Sequence, residues 1–279
     1  MAALDRSAAR PARVLVVAGS DSGGGAGIQA DLKTVAALGG YATTAITALT
    51  AQDTTGVHAV HPVPPAFVRA QMECVLADIG ADAVKTGMLG DAAMIEAVAD
   101  ELHRWRDGGA GGIPVVVDPV MVAKGGHALL APGAEAALTT RLLPLAALLT
   151  PNVPEAEALT GISITDRDAM HRAAAALRAM GARAVLLKGG HLPGEDVIDL
   201  LATADGVETF AAPRIATHHT HGTGCTLASA IAVSLAQGLT LLEAVLRARA
   251  YVRAAIASAP GLGTGHGPLN HAVSVPQRA

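Results

Sequence analysis

Five short, nearly continuous apolar runs, at 13–18, 83–86, 114–117, 146–149 and 184–187, punctuate this chain, and few folds accommodate them. Runs of that length, without the alternation of a strand wetted on one side, read as strands buried on both faces. Each ends in glycine or a polar residue. Between them apolar residues return at helical spacing, as at Ile28, Leu32, Val35 and Leu38, which predicts a helix over 28–38 and others over 66–79, 92–105 and 167–180. A segment at 138–143 continues the alternation, and a further strand is expected at 41–47, with a short extended piece at 56–63. Strand, turn, helix and strand in this rhythm make a mostly parallel sheet with helices on both faces, a three-layer α/β/α sandwich. After Lys188 the rhythm breaks into two successive strands, 196–202 and 207–211, expected as an antiparallel pair at one edge. Helices over 226–236 and 241–257 follow. The expected organisation is a flexible lead-in over 1–12, one domain over 13–271 and a tail over 272–279.

The 279 residues are long enough to bury a sizeable core. Acids and bases are interspersed with a net charge of −4, which argues against a nucleic-acid footprint or a basic membrane surface. No apolar run approaches the ~18 residues of a membrane span. Two cysteines form no disulfide framework and no finger spacing, which fits a cytoplasmic protein. Cys74, among Met72, Val75, Leu76 and Ile79, is expected in the core. With one Trp, two Tyr and two Phe, a ring-shaped ligand has to be held by aliphatic, methionine and polar groups rather than by stacking.

The polar residues gather where open α/β sheets bind ligands, at the carboxyl ends of the strands: Gln52, Met88, Asp118, Asn152, Glu155 and Lys188. Asp118 after an apolar run needs a partner, whether a salt bridge, a helix cap or a metal. Asn152 and Glu155, three apart, fit a capping box or the water shell of Mg²⁺, and spacing does not choose between them. Lys188, followed by two glycines, can bring an ammonium to a phosphate, and Lys124-Gly125-Gly126 has the make-up of a lid. His221-Gly222-Thr223-Gly224-Cys225 runs directly into a helix. Its backbone N–H groups suit an anion, and a helix N-terminus favours a lowered thiol pKa at Cys225. The glycine loop over 19–27 is neither the dinucleotide fingerprint nor a P-loop. The loop over 263–268 is left open between ligand-proximal and plain solvent.

Seven blocks, in order, resemble the hydroxymethylpyrimidine and phosphomethylpyrimidine kinases of thiamine biosynthesis, a branch of the ribokinase superfamily related to pyridoxal kinases. They lie at 18–34, 45–52, 85–89, 118–121, 150–155, 187–191 and 220–226. The resemblance implies a ribokinase-like domain, usually a homodimer, that uses ATP and Mg²⁺ to phosphorylate 4-amino-5-hydroxymethyl-2-methylpyrimidine and then its monophosphate. It places the pyrimidine near Ala26, Asp31, Gln52, Met88, Val120 and Cys225, and the metal and triphosphate near Asp118, Asn152, Glu155 and Lys188. Gly222, Thr223, Gly224 and Cys225 would cradle the transferring phosphoryl group, with Cys225 standing where many ribokinase relatives carry an aspartate base. A pyridoxine kinase, or a sensor that keeps the fold without the chemistry, are the alternatives.

Overall fold

The computed structural model describes residues 10–107 and 112–274, so most of the expected lead-in and tail lies outside the described residues. In chain order the strands are β1 (Arg13–Ala18), β2 (Tyr41–Ile46), β3 (Ala48–Gln52), β4 (Val57–Pro62), β5 (Ala83–Thr86), β6 (Val115–Val117), β7 (Leu148–Leu149), β8 (Val185–Leu187), β9 (Asp196–Ala202) and β10 (Val207–Pro213). The helices are α1 (Gly27–Ala37), α2 (Pro65–Asp78), α3 (Ala92–Asp107), α4 (Ala134–Ala137), α5 (Val153–Thr160), α6 (Arg167–Ala179), α7 (Thr223–Ala236) and α8 (Leu241–Ala257). Eight strands form one sheet in the order β10-β9-β8-β7-β6-β5-β1-β2, parallel from β2 to β8 and antiparallel at β9 and β10.

Alternation along each strand splits the core in two. Val14, Val16 and Ala18 pack on one face with Leu227, Ile231 and Val233 of α7 and Tyr251 of α8, whereas Leu15 and Val17 pack on the other with Val68 and Met72 of α2 and Ile95 of α3. This is the sandwich with an antiparallel edge that the apolar runs predict. Because the strands are parallel, the turns that follow β1, β5, β6, β7 and β8 all emerge at one edge of the sheet.

Local differences have local causes. Residues 48–52, given no element from sequence, pair with β4 as a separate antiparallel hairpin with an irregularity at Ala51/Gln52. Ala48 and Thr50 are buried while Leu49 and Ala51 face outward, so the segment has strand alternation, too short to see in sequence. The segment at 138–143 becomes a wide π turn, Leu138–Leu142, followed by a 3₁₀ turn, Leu143–Leu145, that holds Pro144. Cys74 is exposed, not in the core. Val68, Met72 and Leu76 are the buried stripe of α2, and Cys74, two residues after Met72, lies about 200° further round the helix.

Candidate active site

Strand ends bring the first cluster together. Asp118 directly follows β6, and Lys188 directly follows β8, with its Nζ 3.3 Å from Asp118 Oδ1. The Thr150 hydroxyl donates to the same oxygen at 3.4 Å. Asn152 forms a parallel bridge with Lys188 and begins α5 with a capping box. Its Oδ1 accepts from the Glu155 N–H at 2.9 Å, and Glu155 Oε2 accepts from the Asn152 N–H at 2.8 Å. Of the two sequence readings, the structure thus contains the capping box, which stations the Glu155 carboxylate beside Lys188 and Asp118. Burial pushes the Glu155 pKa up and Lys188 pulls it down, while Asp118 raises it further, leaving it at about 7. For Lys188 burial acts downward, but Asp118 and Glu155 prevail and hold the ammonium above its ordinary value.

The turn His221 to Cys225 closes over this cluster. Gly222, at φ 83°, caps α7, which starts at Thr223, three residues earlier than its apolar run indicates. The N–H of Thr226 makes the bond to Gly222 O, so those of Gly224 and Cys225 precede the helical ladder and point out of its end. A Cβ at Gly224 would sit 3.3 Å from Lys188 Nζ and 3.5 Å from Asp118 Oδ2, which puts the helix end directly over the ion pair. A Cβ at Gly222 would sit 1.8 Å from Gly25 O, so the two glycine loops touch through their backbones. Only glycine permits both the positive φ and that approach.

Cys225 corrects a sequence expectation. It is half-buried on the first turn of α7, yet its thiol is not activated: burial pushes its pKa up, Lys85 and a hydrogen bond from the Gly27 N–H pull it down, Asp31 and Asp118 push it up again, and the result is about 12. Desolvation and two neighbouring carboxylates outweigh Lys85 and the Gly27 N–H, and the group stays a neutral thiol at pH 7.

Of the residues expected around the pyrimidine, Ala26, Gln52, Met88 and Val120 are all partly accessible. A Cβ at Gly19 would lie 3.0 Å from Met88 Sδ, so the thioether rests on the first glycine loop. Thr47 fixes the Met88 carbonyl with a 2.6 Å hydrogen bond. Asp31 is a second correction. It is fully buried, both its oxygens lie 2.9 Å from Lys85 Nζ, and Ser229 donates to Oδ1 at 2.6 Å, so it offers no open acceptor to a ring. Ser229 lies one turn beyond Cys225 on α7, and Lys85 belongs to β5, so this pair ties α1, β5 and α7 together below the site.

Lys124 is exposed on a loop whose Gly125 and Gly126 have φ of 105° and 89°. A Cβ at Gly125 would be 3.6 Å from Thr55 O, which sets the loop beside the tip of the β3–β4 hairpin. The loop over 263–268 is not a plain solvent loop. The N–H groups of His266 and Gly265 donate to Thr54 O and Thr54 Oγ1 at 2.7 and 3.2 Å, and the His221 N–H donates to Gly267 O at 3.2 Å. The rings of His218 and His219, unassigned from sequence, lie 3.9 Å apart and tilted by 47° beside it.

Sequence reasoning gave no role to Lys85, Asp21 or the His221 side chain. A lysine inside a run of strand buried on both faces is a signal in itself, because a buried ammonium demands a buried acid. Asp21, 2% exposed, accepts from the N–H groups of Gly23, Gly25 and Ala26 and from His221 Nε2 at 2.8 to 3.0 Å. That His221 lies 200 residues away in sequence explains why the pairing was not legible.

The chain matches the phosphomethylpyrimidine kinase family over residues 21–270. It is 52% identical over 260 residues to a hydroxymethylpyrimidine/phosphomethylpyrimidine kinase of Rhizobium meliloti, covering 92% of this chain and 96% of the relative. It is also 56% identical over 258 residues, 92% of this chain, to a thiamine biosynthesis bifunctional protein of Geobacter sulfurreducens, of which it spans 52%, about half the length. The structure of an ADP complex of Bacillus subtilis pyridoxal kinase superposes with a TM-score of 0.85 at 37% identity, covering 94% of this chain and 97% of that one.

Proposed function

The chain belongs to the phosphomethylpyrimidine kinase family, and from that premise we propose how its site transfers a phosphoryl group. It is a hydroxymethylpyrimidine/phosphomethylpyrimidine kinase of thiamine biosynthesis. ATP is the donor. The observation that carries the mechanism is the seating of the α7 N-terminus over the Asp118–Lys188 pair, with Gly224 wedged between. The hydroxymethyl oxygen attacks the γ-phosphorus in line, the new O–P bond forms, and the bond to the ADP oxygen breaks. The Gly224 and Cys225 N–H groups and the Lys188 ammonium take up charge on the equatorial oxygens, each such donor contributing on the order of 10²-fold or more in rate. The proton leaves the hydroxyl late in a loose transition state and passes to an oxygen of the transferred phosphoryl group, so the neutral Cys225 thiol positions the substrate and takes no proton.

Two carboxylates, Asp118 and Glu155, with Asn152 behind them, suit Mg²⁺. Among the described residues they belong to no cluster of three or more His, Cys, Asp or Glu of the kind that cages a metal by protein alone. Mg²⁺ takes one or two carboxylates and completes its shell with water and phosphate oxygens. When bound, it would neutralise charge on the β- and γ-phosphates. Lys124 approaches the phosphates from its loop. Gln52, Ala26, Met88 and Val120 hold the ring, with Gln52 supplying both a donor and an acceptor. A homodimer is part of this reading, supported by the outward hairpin face of Leu49, Ala51, Ala59 and His61 and by Phe67 of α2, which is 61% exposed. Among the described residues no helix is long and apolar enough to cross a membrane, and two free cysteines suit the cytoplasm.

The test is product formation followed by mass, with hydroxymethylpyrimidine, its monophosphate and pyridoxine offered in parallel with ATP and Mg²⁺, then with chelator. Diphosphate from the pyrimidine, lost with chelator, is the expected result. Turnover of pyridoxine as well would follow from the likeness to pyridoxal kinase, whereas binding without turnover of any of the three would overturn the mechanism.

A further inference from the structure

Gln52 is the side chain most concerned with choosing the ring, and its amide is held between two groups whose own bonding is already decided. On one side its Nε2 lies 3.4 Å from His221 Nε2. On the other its Oε1 lies 3.3 Å from Thr50 Oγ1. His221 Nε2 is 2.8 Å from Asp21 Oδ2, an oxygen that already accepts from Gly25 and Ala26. Burial pushes the Asp21 pKa up, but the bonds from His221, Ala26 and Gly23 bring it below the ordinary carboxylate value, so Asp21 only accepts. The proton of that contact therefore resides on His221 Nε2, which has no lone pair left for the Gln52 amide. Thr50 Oγ1 in turn gives its single hydrogen to Ser20 O at 2.8 Å and presents a lone pair to Gln52. Turned through half a circle, the amide suits both neighbours: its oxygen becomes the second, longer acceptor at 3.4 Å of the single His221 Nε2 hydrogen whose main acceptor is Asp21 Oδ2, and its nitrogen donates to Thr50.

We infer that Asp21 and His221 are positioning residues that fix the direction of the Gln52 amide, and thereby decide which ring edge the kinase accepts. This rests on the reading of Gln52 as the pyrimidine-binding side chain. The chain of command runs from Asp21 through His221 Nε2–H to Gln52 Oε1. It leaves one N–H and one lone pair of that amide for the ligand, side by side, the complement of an aminopyrimidine edge with its ring nitrogen and amino group. Hydrogen bonds between Gln52 and Ser22 keep the backbone from turning: the Gln52 N–H donates to Ser22 Oγ at 2.8 Å, and that hydroxyl donates to Gln52 O at 2.7 Å. Gly25 faces the imidazole so closely that a Cβ there would be 2.5 Å from Cδ2, which holds the ring in its plane. The same residues bridge the first glycine loop to the phosphate turn, so ring recognition and phosphoryl transfer share one rigid frame.

The decisive comparison is His221→Gln against His221→Phe. A glutamine amide nitrogen reaches about as far as Nε2 and can donate to both Asp21 and Gln52, whereas phenylalanine fills the space without a donor. His221→Phe is expected to raise the pyrimidine KM at least tenfold and to narrow the preference over pyridoxine, with the ATP KM within twofold. His221→Gln is expected within threefold of the parent on all three. Equal impairment of the two variants, an unchanged pyrimidine KM in His221→Phe, or a matching rise in the ATP KM would each overturn the inference. Nitrogen NMR of the parent protein, labelled at histidine, reads the same point without any variant: His221 Nε2 must carry the proton, and a lone pair there refutes the relay. Because that spectrum needs no substrate, it separates failure of the relay from failure of the pyrimidine assignment.

Discussion

Replacing Lys85 by methionine isolates what a buried charge costs this fold. Lys85 and Asp31 have fully buried side chains, and each oxygen of the carboxylate is 2.9 Å from the ammonium. Burial acts against both charges and raises the Asp31 pKa, but Asp31 and Asp118 raise that of Lys85 above the ordinary lysine value, and the two contacts of 2.9 Å keep the pair ionised in the parent. Lys85→Met leaves Asp31 with only the Ser229 hydroxyl, and the carboxylate escapes by taking up a proton. An unfolded Asp titrates near 3.9, so holding it neutral at pH 7 costs about 4 kcal/mol, from ~1.4 kcal/mol per pH unit over roughly three units. That agrees with the ~3–5 kcal/mol typical of breaking a buried pair. The sign is testable. A group whose folded pKa is raised is destabilising above its unfolded pKa and harmless below it, so the penalty shrinks to about 1.5 kcal/mol at pH 5. Urea melts of parent and variant at pH 5 and 7 give both numbers, and Lys85→Met/Asp31→Leu should recover most of the loss at pH 7. A single-variant penalty under about 1 kcal/mol, or one equal at both pH values, would refute the reasoning.

The other predictions follow from the same geometry. Cys225→Ser keeps kcat within about tenfold of the parent and leaves the kcat profile between pH 7 and 9 unchanged, because no thiolate takes part; a loss beyond about 10³-fold would restore the thiol as a base. With Glu155 at about 7 in the free protein, binding of Mg²⁺ and ATP at pH 6.5 releases a proton. Calorimetry in buffers of different ionisation heat measures that release, which in Glu155→Gln falls to the share contributed by ATP itself. Gly222→Ala, which needs φ of 83° and puts a methyl 1.8 Å from Gly25 O, should cost about 2–3 kcal/mol or more in a thermal melt and separate the two glycine loops.

By itself, the sequence determined the layers. Runs such as Val14 to Ala18 have too little polarity for an exposed strand and too few residues for a buried helix, so they could only lie inside a parallel sheet, and the change of rhythm after Lys188 announced the antiparallel edge. It also determined the edge at which the site lies, because Asp118 and Lys188 follow apolar runs directly, and the pattern of glycines around Cys225 marked a close approach before its partner was known. Those features depend on neighbours in the chain. The tertiary structure alone decided what depends on distant neighbours: that Asp31 faces Lys85 and not a ring, that Asp21 holds His221, that residues 48–52 pair with β4, and that burial governs the Cys225 thiol. Charge and protonation are set by what surrounds a group in space. Asp31, Lys85 and Ser229 converge from three elements far apart in sequence, and only the packed fold brings them to one point.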